Sequence, residues 1–193
     1  MEKKLTAKER ILRVAEQLFY REGVRAVGID RIIQESGVAK ASFYRNFATK
    51  DDLVVAYLEL HRERVMGNIA HARQQRPDSV LAQLRYLMEY TADRMKLPTY
   101  RGCAFMNTAV EFPETDHPDH VKALDSRNEV WNHIEDMARE AGLPKPRELT
   151  EQLRMLWSGA AMVAYINKEE FKPQSFSDAA NALIDSQAAA AAK

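Results

Sequence analysis

Apolar residues recur at helical spacing along almost the whole chain, and no segment alternates apolar and polar residues with the period of two that a strand requires. Glycine and proline are scarce, with 7 of each in 193 residues, and this favours long helices over strands joined by turns. The pattern predicts about nine helices and no strand. We therefore expect an all-α chain, long enough for one or two modest domains with a hydrophobic core.

Charge is unevenly distributed although the formal net charge is zero. Residues 1–50 hold 11 Lys and Arg against 6 Asp and Glu, whereas residues 51–193 hold 17 against 22. A basic N-terminal segment followed by an acidic remainder fits a polyanion-binding domain followed by a domain with another function. The start of the chain lacks the apolar core of a signal peptide, and no segment is apolar enough to span a membrane. We expect a cytoplasmic protein with no membrane partner.

Cap residues predict where several helices begin or end. Thr6 with Glu9 matches a capping box, Gly23 is a natural stop, and Thr49 with Asp52 forms a second cap-like pair. The helices that follow are predicted at about 50–75, for about 18 residues after the break at 76–79, at 103–112, through 121–137, at about 147–167 and at about 177–187.

The segment 29–47 has the pattern of a helix-turn-helix. Gly28 is an acceptable N-cap, and Gly37 lies where a tight turn between two short helices needs a positive φ. A second helix from about Lys40 to Asn46 then buries Phe43 on one side. A helical hairpin with a purely structural role is the alternative.

The other side of this segment carries side chains suited to DNA. Lys and Arg neutralise phosphates, while Arg and Asn also bond base edges. For Arg45 and Asn46, base reading and phosphate contact both stay open. The helix start at Lys50 can hold a phosphate as well. The predicted DNA contacts are Gly28, Ile29, Ala39, Lys40, Ala41, Ser42, Tyr44, Arg45, Asn46 and Lys50.

The stretch IDRIIQESGVAKASFYRNFATKDDLV resembles the DNA-binding segment of the TetR/AcrR family of repressors. The matching positions are Phe19, Gly23, residues 37–40, residues 43–47, Lys50 and Leu53. The resemblance implies a three-helix DNA-binding domain at 1–50 and a six-helix ligand-binding and dimerisation domain at 51–193. It also implies a homodimer on a palindromic operator, released by a small molecule. The chain departs from the family at Gly28, where Thr is usual, and at Ala41, where Gly or Thr is common.

Two further sets of residues follow from that expectation. A ligand pocket between helices would be lined by aromatic and Met side chains with a few polar groups. Core packing is the alternative for the apolar candidates, and pairing within the protein is the alternative for Glu111. The ligand candidates are Tyr86, Tyr90, Cys103, Met106, Asn107, Glu111, Trp131, Trp157, Met162 and Tyr165. The candidates for the dimer seam, or else for packing within one subunit, are Leu153, Trp157, Ala160, Ala161, Ala164, Ala179, Ala182 and Leu183.

Other chemistries have weaker signals. Cys103 is either a redox sensor or a small buried hydrophobe. His117 and His120 belong either to a metal site, together with Glu114, Asp116 and Asp119, or to a polar loop or helix start. We expect no metal and no cofactor. No nucleophile or metal-ligand constellation has the spacing of an enzyme motif, so we predict a DNA-binding regulator rather than an enzyme or a helical scaffold.

Overall fold

The computed structural model describes residues 5–191, and every regular element in that range is an α-helix. The outermost residues of the two predicted domains, 1–4 and 192–193, lie outside the described range. The helices are α1 (Ala7–Glu22), α2 (Ile29–Ser36), α3 (Lys40–Asn46), α4 (Lys50–Gln75), α5 (Val80–Met95), α6 (Ala104–Glu111), α7 (Pro118–Glu140), α8 (Pro146–Ile166) and α9 (Pro173–Ala191). The predicted all-α fold class is confirmed.

The predicted caps of α1 are present. The Thr6 hydroxyl accepts a hydrogen bond from the Glu9 N–H at 3.2 Å, and the Glu9 carboxylate accepts one from the Thr6 N–H at 2.7 Å. These reciprocal bonds satisfy N–H groups that have no partner inside the helix. Gly23 ends the helix with φ 95°, and its N–H donates to the Phe19 carbonyl at 2.9 Å.

The turn between α2 and α3 depends on Gly37. Its φ of 62° lies in the left-handed region, where a side chain is unfavourable. The Arg10 guanidinium of α1 donates to the carbonyls of Ser36 at 3.3 Å and of Gly37 at 3.2 Å. The predicted helix-turn-helix is therefore formed, and α1 braces its turn.

Proline marks helix starts that the sequence pattern placed differently. α7 begins at Pro118 and α9 at Pro173, so His120 lies in a helix rather than in a loop and α9 starts before residue 177. α8 likewise begins at Pro146. Proline suits the first turn because its φ is already helical and its missing N–H would have no partner there.

The chain divides into two compact units. The first contains the described residues up to Arg62 together with Cys103–Ser126, and the second contains Glu63–Gly102 together with the described residues from Arg127 onward. The domain boundary predicted at residue 50 concerns function and stays a prediction.

In the first unit, α1 packs against α2 and α3. The Phe19 and Tyr57 rings meet edge to face with their centroids 5.5 Å apart, and this core contains the buried side chains Ile11, Ala15, Leu18, Phe19, Ile32, Phe43, Phe47, Leu53, Val54, Tyr57 and Leu58.

In the second unit, α9 packs against α5 and α8, around Leu84, Met88, Trp131, Met137, Leu149, Leu153, Phe176 and Ile184.

The small-residue face of α8 lies inside the second unit. Ala161 and Ala164 are buried with Met95, and Leu153 is buried in the larger core. For these three residues the predicted dimer seam is therefore replaced by the alternative, packing within one subunit, because a fully covered side chain cannot meet a partner. Trp157, Ala160 and Leu183 are partly buried against the same cores, whereas Ala179 and Ala182 are exposed.

We predict that Gly23→Ala destabilises the protein by about 1–3 kcal/mol, because the backbone at this φ is almost restricted to glycine. The new Cβ would also lie 3.0 Å from the carboxylate oxygens of Glu111. Gly67→Ala is the matched control, since Gly67 is exposed within α4 with open space around its Cα, and it should stabilise the protein by about 0.5–1 kcal/mol. Urea unfolding measures the free energy of unfolding of both variants. A change of the same sign in the two would contradict the prediction.

Candidate nucleic-acid interface

α3 buries one side and exposes the other. Phe43 is fully buried and Phe47 nearly so, whereas Lys40, Tyr44 and Arg45 point to the opposite, exposed side. The Tyr44 ring meets the Phe43 ring edge to face, with centroids 5.3 Å apart. The predicted DNA contacts of α3 therefore form one surface, with Ala39, Ala41 and Asn46 exposed and Ser42 half-buried.

Arg45 and Asn46 differ in what they can offer DNA. The Asn46 side-chain amide donates to the Ser42 carbonyl at 2.7 Å, so the bidentate contact that Asn makes with adenine would compete with a bond inside α3. No described residue forms an ion pair with Arg45. Arg45 is therefore the better placed of the two to bond a base edge or a phosphate.

The start of α2 offers backbone rather than side-chain groups. Gly28 is the N-cap with φ −84°, and no side-chain hydrogen bond caps this helix. Ile29 is half-buried at the first helical position. A phosphate here would meet the N–H groups of the first turn, as the sequence predicts for a chain without a Thr at residue 28.

Lys50 begins α4 in a well-defined geometry. The Thr49 N–H donates to the Asp52 carboxylate at 2.9 Å, and the Asp52 N–H donates to the Thr49 hydroxyl at 3.0 Å. The Lys50 ammonium is half-buried, and this burial lowers its pKa, against the opposing attraction of Glu111 and other carboxylates.

Glu111 joins α6 to the connection between α1 and α2. Its carboxylate accepts hydrogen bonds from the backbone N–H groups of Val24 at 3.0 Å and Arg25 at 2.7 Å. The Arg25 guanidinium donates in return to the Glu111 carbonyl at 3.0 Å and lies over the Phe112 ring. Both carboxylate oxygens are thus used inside the protein, so the predicted ligand contact at Glu111 is replaced by the structural alternative.

Asp119 is a buried carboxylate in the first turn of α7. Within the described chain neither of its oxygens has a hydrogen-bond partner. Burial raises its pKa to about 6 and repulsion from Asp51 adds to the shift, while His117 and Lys50 oppose it. Its backbone N–H donates to Nδ1 of His117 at 3.2 Å.

The two histidines of this segment have other partners than a metal ion. His117 accepts that bond and stacks on Phe112, while Nδ1 of His120 lies 2.7 Å from the Phe112 carbonyl and therefore donates to it. Over residues 5–191, no group of three His, Cys, Asp or Glu side chains is placed to hold a metal ion.

Known proteins match both the sequence and the fold. The sequence profile of the bacterial regulatory proteins of the tetR family matches residues 11–57. The TetR-family transcriptional regulator SCO4454 from Streptomyces coelicolor is 30% identical with a TM-score of 0.86, over 94% of this chain and 95% of that chain. The chain belongs to the TetR family. It is accordingly a DNA-binding transcriptional regulator and not an enzyme.

Two further relatives are more distant from this TetR-family regulator. An uncharacterised HTH-type transcriptional regulator from the lacX 3' region of Lactococcus lactis is 28% identical over 110 residues, 56% of each protein. The chain spans about half the length of the curated relatives that it matches. A regulator from Saccharomonospora viridis in complex with choline shares the fold, with a TM-score of 0.70 and 19% identity over 93% of this chain and 95% of that chain.

The predicted ligand residues of this TetR-family regulator are divided between the two units. In the second unit, the Tyr86 and Tyr90 rings stack with centroids 6.0 Å apart, and the Tyr86 hydroxyl lies 3.0 Å from Nε2 of His71. The Trp131 and Trp157 rings meet edge to face at 6.2 Å in the same unit. Cys103, Met106 and Asn107 belong to the first unit and are half-buried.

Met162 and Tyr165 are exposed on α8, which favours a surface position over the predicted ligand contact. The Arg101 guanidinium lies over the Tyr165 ring.

Sequence reasoning missed two contacts that charged residues make with the predicted DNA-binding lysines. Asp30 pairs with Lys40 across the turn, and Asp119 lies near Lys50. Spacing along one helix carries no signal for either contact, since both join different helices. Carboxylates are also common in the first turn of a helix, because they interact favourably with the helix dipole.

We predict that Asp119→Asn stabilises the TetR-family regulator at neutral pH. The pKa of Asp119 is raised from 3.8 to about 6 on folding, so ionisation opposes folding increasingly as the pH rises through this interval and fully above it. The urea midpoint of the variant should exceed that of wild type above about pH 6, and the gap should close towards about pH 4. The exposed neighbour change Asp116→Asn is the control. A gap that does not change with pH would contradict the assignment.

Proposed function

We propose that this TetR-family regulator is a homodimeric repressor that binds a palindromic operator and is released by a small-molecule effector. The observation that carries the proposal is α3, which exposes Lys40, Tyr44 and Arg45 above the buried Phe43. We propose residues 1–50 as the DNA-binding domain and 51–193 as the ligand-binding and dimerisation domain. We also propose a cytoplasmic location, where bacterial DNA lies. No helix of residues 5–191 is long and apolar enough to cross a membrane.

The exposed side of α3 would lie in the major groove. Arg45 would reach a base edge or a phosphate, and Lys40, Tyr44 and Lys50 would contact phosphates. Lys50 fits this role because it begins α4, where the free N–H groups and the helix dipole also favour a phosphate. The remaining proposed contacts, through backbone or short side chains, are Gly28, Ile29, Ala39, Ala41, Ser42 and Asn46.

Wild type should bind duplex DNA with an affinity that falls as salt rises, and Arg45→Ala should weaken this binding. Loss of one phosphate contact should reduce the slope of log affinity against log salt concentration by about 0.9. At about 0.1 M salt this corresponds to about an eightfold loss of affinity. If Arg45 instead contacts a base, Arg45→Ala should lower affinity for the operator alone. Arg147→Ala, which removes an exposed arginine of α8, should have no effect. Equal DNA binding by wild type and Arg45→Ala would favour a structural role for the hairpin.

The proposed dimer surface follows α8 and α9. Met155, Met162, Val163 and Ile166 are exposed apolar residues, and at their helical spacing they form one stripe of α8 together with the exposed Gly159. Ala179 and Ala182 are exposed on α9. An apolar stripe of this kind fits a partner helix of equal character, and a second copy would supply it with twofold symmetry.

The dimer would place two α3 helices one turn of DNA apart, roughly 34–36 Å. An effector that binds more tightly to a conformation with another separation would release the operator in proportion to that difference in affinity. Tyr86, Tyr90, Trp131 and Trp157 are the effector contacts that we retain in the second unit, and Cys103, Met106 and Asn107 stay proposed in the first. The choline complex of the Saccharomonospora viridis protein supports a small-molecule effector for this fold.

We predict that Met162→Glu yields monomers and weakens operator binding strongly, because a charge would be buried in an apolar interface. Light scattering measures the mass. Val110→Glu is the matched control, since Val110 is 78% exposed in the first unit and the same change there should leave the dimer intact. If Met162→Glu still forms dimers, this stripe of α8 is not part of the interface. Ala161→Glu is unsuitable for the test, because Ala161 is buried and a charge there would unfold the subunit.

A further inference from the structure

An acidic side chain lies within the surface that we assign to DNA. Asp30 directly follows Gly28 and Ile29, and its Oδ1 accepts a hydrogen bond from Nζ of Lys40 at 3.1 Å. Both side chains are exposed, and the bond from Asp30 raises the pKa of Lys40. A proposed phosphate contact is thus already paired with a carboxylate when DNA is absent.

Stability is a poor explanation for this pair. Exposed ion pairs contribute little because water and salt screen them. Asp30 in the first turn of α2 interacts favourably with the helix dipole, but that interaction does not require Lys40. For DNA binding the pair has a clear consequence, since a carboxylate near phosphates repels them and occupies the cation that would otherwise neutralise one.

We propose that Asp30 is a specificity-determining residue. Its pairing with Lys40 weakens binding to duplex DNA of any sequence, and the pair opens where a base amino group replaces Lys40 as the partner of the carboxylate. Cytosine N4 is the major-groove donor that aspartate accepts from. At such a site Lys40 becomes available to a phosphate, so that both members of the pair gain a contact.

The effect would discriminate between sequences because binding to random DNA is almost wholly electrostatic. At a sequence without the amino group, the carboxylate stays on Lys40 and the pair contributes no net charge. At the matching sequence the same two residues supply a base contact and a phosphate contact. Specificity would therefore arise from a repulsive element as well as from an attractive one.

The first experiment measures the affinity of wild type and Asp30→Asn for random-sequence duplex over a range of salt concentrations. Asp30→Asn should bind about eightfold more tightly at about 0.1 M salt, with a log–log slope steeper by about 0.9, because Lys40 then neutralises one more phosphate. Asp30→Glu, which keeps the carboxylate, should bind like wild type. Glu151→Gln removes an equal charge from an exposed ion pair of α8 and should change nothing. In a Lys40→Ala background Asp30→Asn should no longer steepen the slope, because no cation is freed for a phosphate, and only the relief of repulsion between Asp30 and the phosphates remains.

The second experiment selects binding sites from a randomised duplex library with wild type and with Asp30→Asn. Wild type should select cytosine at one position of each half-site, and the variant should lose the preference at that position alone. A general loss of folding would instead weaken selection at every position, and the urea midpoint of the variant checks for it.

This inference rests on the proposed function, and the outcomes separate the two. Absence of salt-dependent binding by wild type to any duplex would overturn the proposed DNA surface itself. If wild type binds, then unchanged affinity of Asp30→Asn for random duplex, an unchanged set of selected sequences, or an equal steepening of the slope without Lys40 would overturn the role of Asp30 and leave DNA binding standing.

Discussion

The burial of Phe43 is the interaction on which the proposed DNA surface of α3 depends. α3 has seven residues, whereas an isolated helix needs about 12–15 residues to be even marginally stable in water. Its conformation and its direction therefore come from packing. Phe43 is fully buried and contacts the rings of Tyr44 and Phe47, and Arg10 braces the turn before it. Because one side of α3 is anchored in this way, Lys40 and Arg45 are presented by a rigid support rather than by a flexible loop.

The same unit connects this support to α6 through a small group of polar contacts. Glu111 holds the backbone of Val24 and Arg25, and Gly23 leaves the space that its carboxylate occupies. A movement of α6 must either break these bonds or carry the connection to α2 with it. The contact thus offers a physical route from α6 to α2 and α3, which the proposed release by an effector would require.

Charge counting gives an incomplete picture of the DNA surface. Residues 1–50 hold more basic than acidic side chains, yet Lys40 is paired with Asp30 and Lys50 is half-buried near carboxylates. Arg31 is likewise engaged, with Glu22 and Glu35. Affinity for DNA then depends on which pairs open when phosphates approach, and this is a property of side-chain positions rather than of net charge.

The sequence by itself determined the features that depend on neighbours along the chain: the helical periodicity, the Thr6 and Thr49 caps, the Gly37 turn and the bounds of α3. Those features are local, because capping and turn formation involve residues within four positions of one another. Tertiary structure decided the contacts between helices. It buried Ala161 and Ala164 and left Met162 exposed, bonded Glu111 to the chain after α1, and paired Asp30 with Lys40. A small or charged residue fits a core, a seam or a surface equally well by pattern, and only the packing of neighbouring helices determines which side of it remains open.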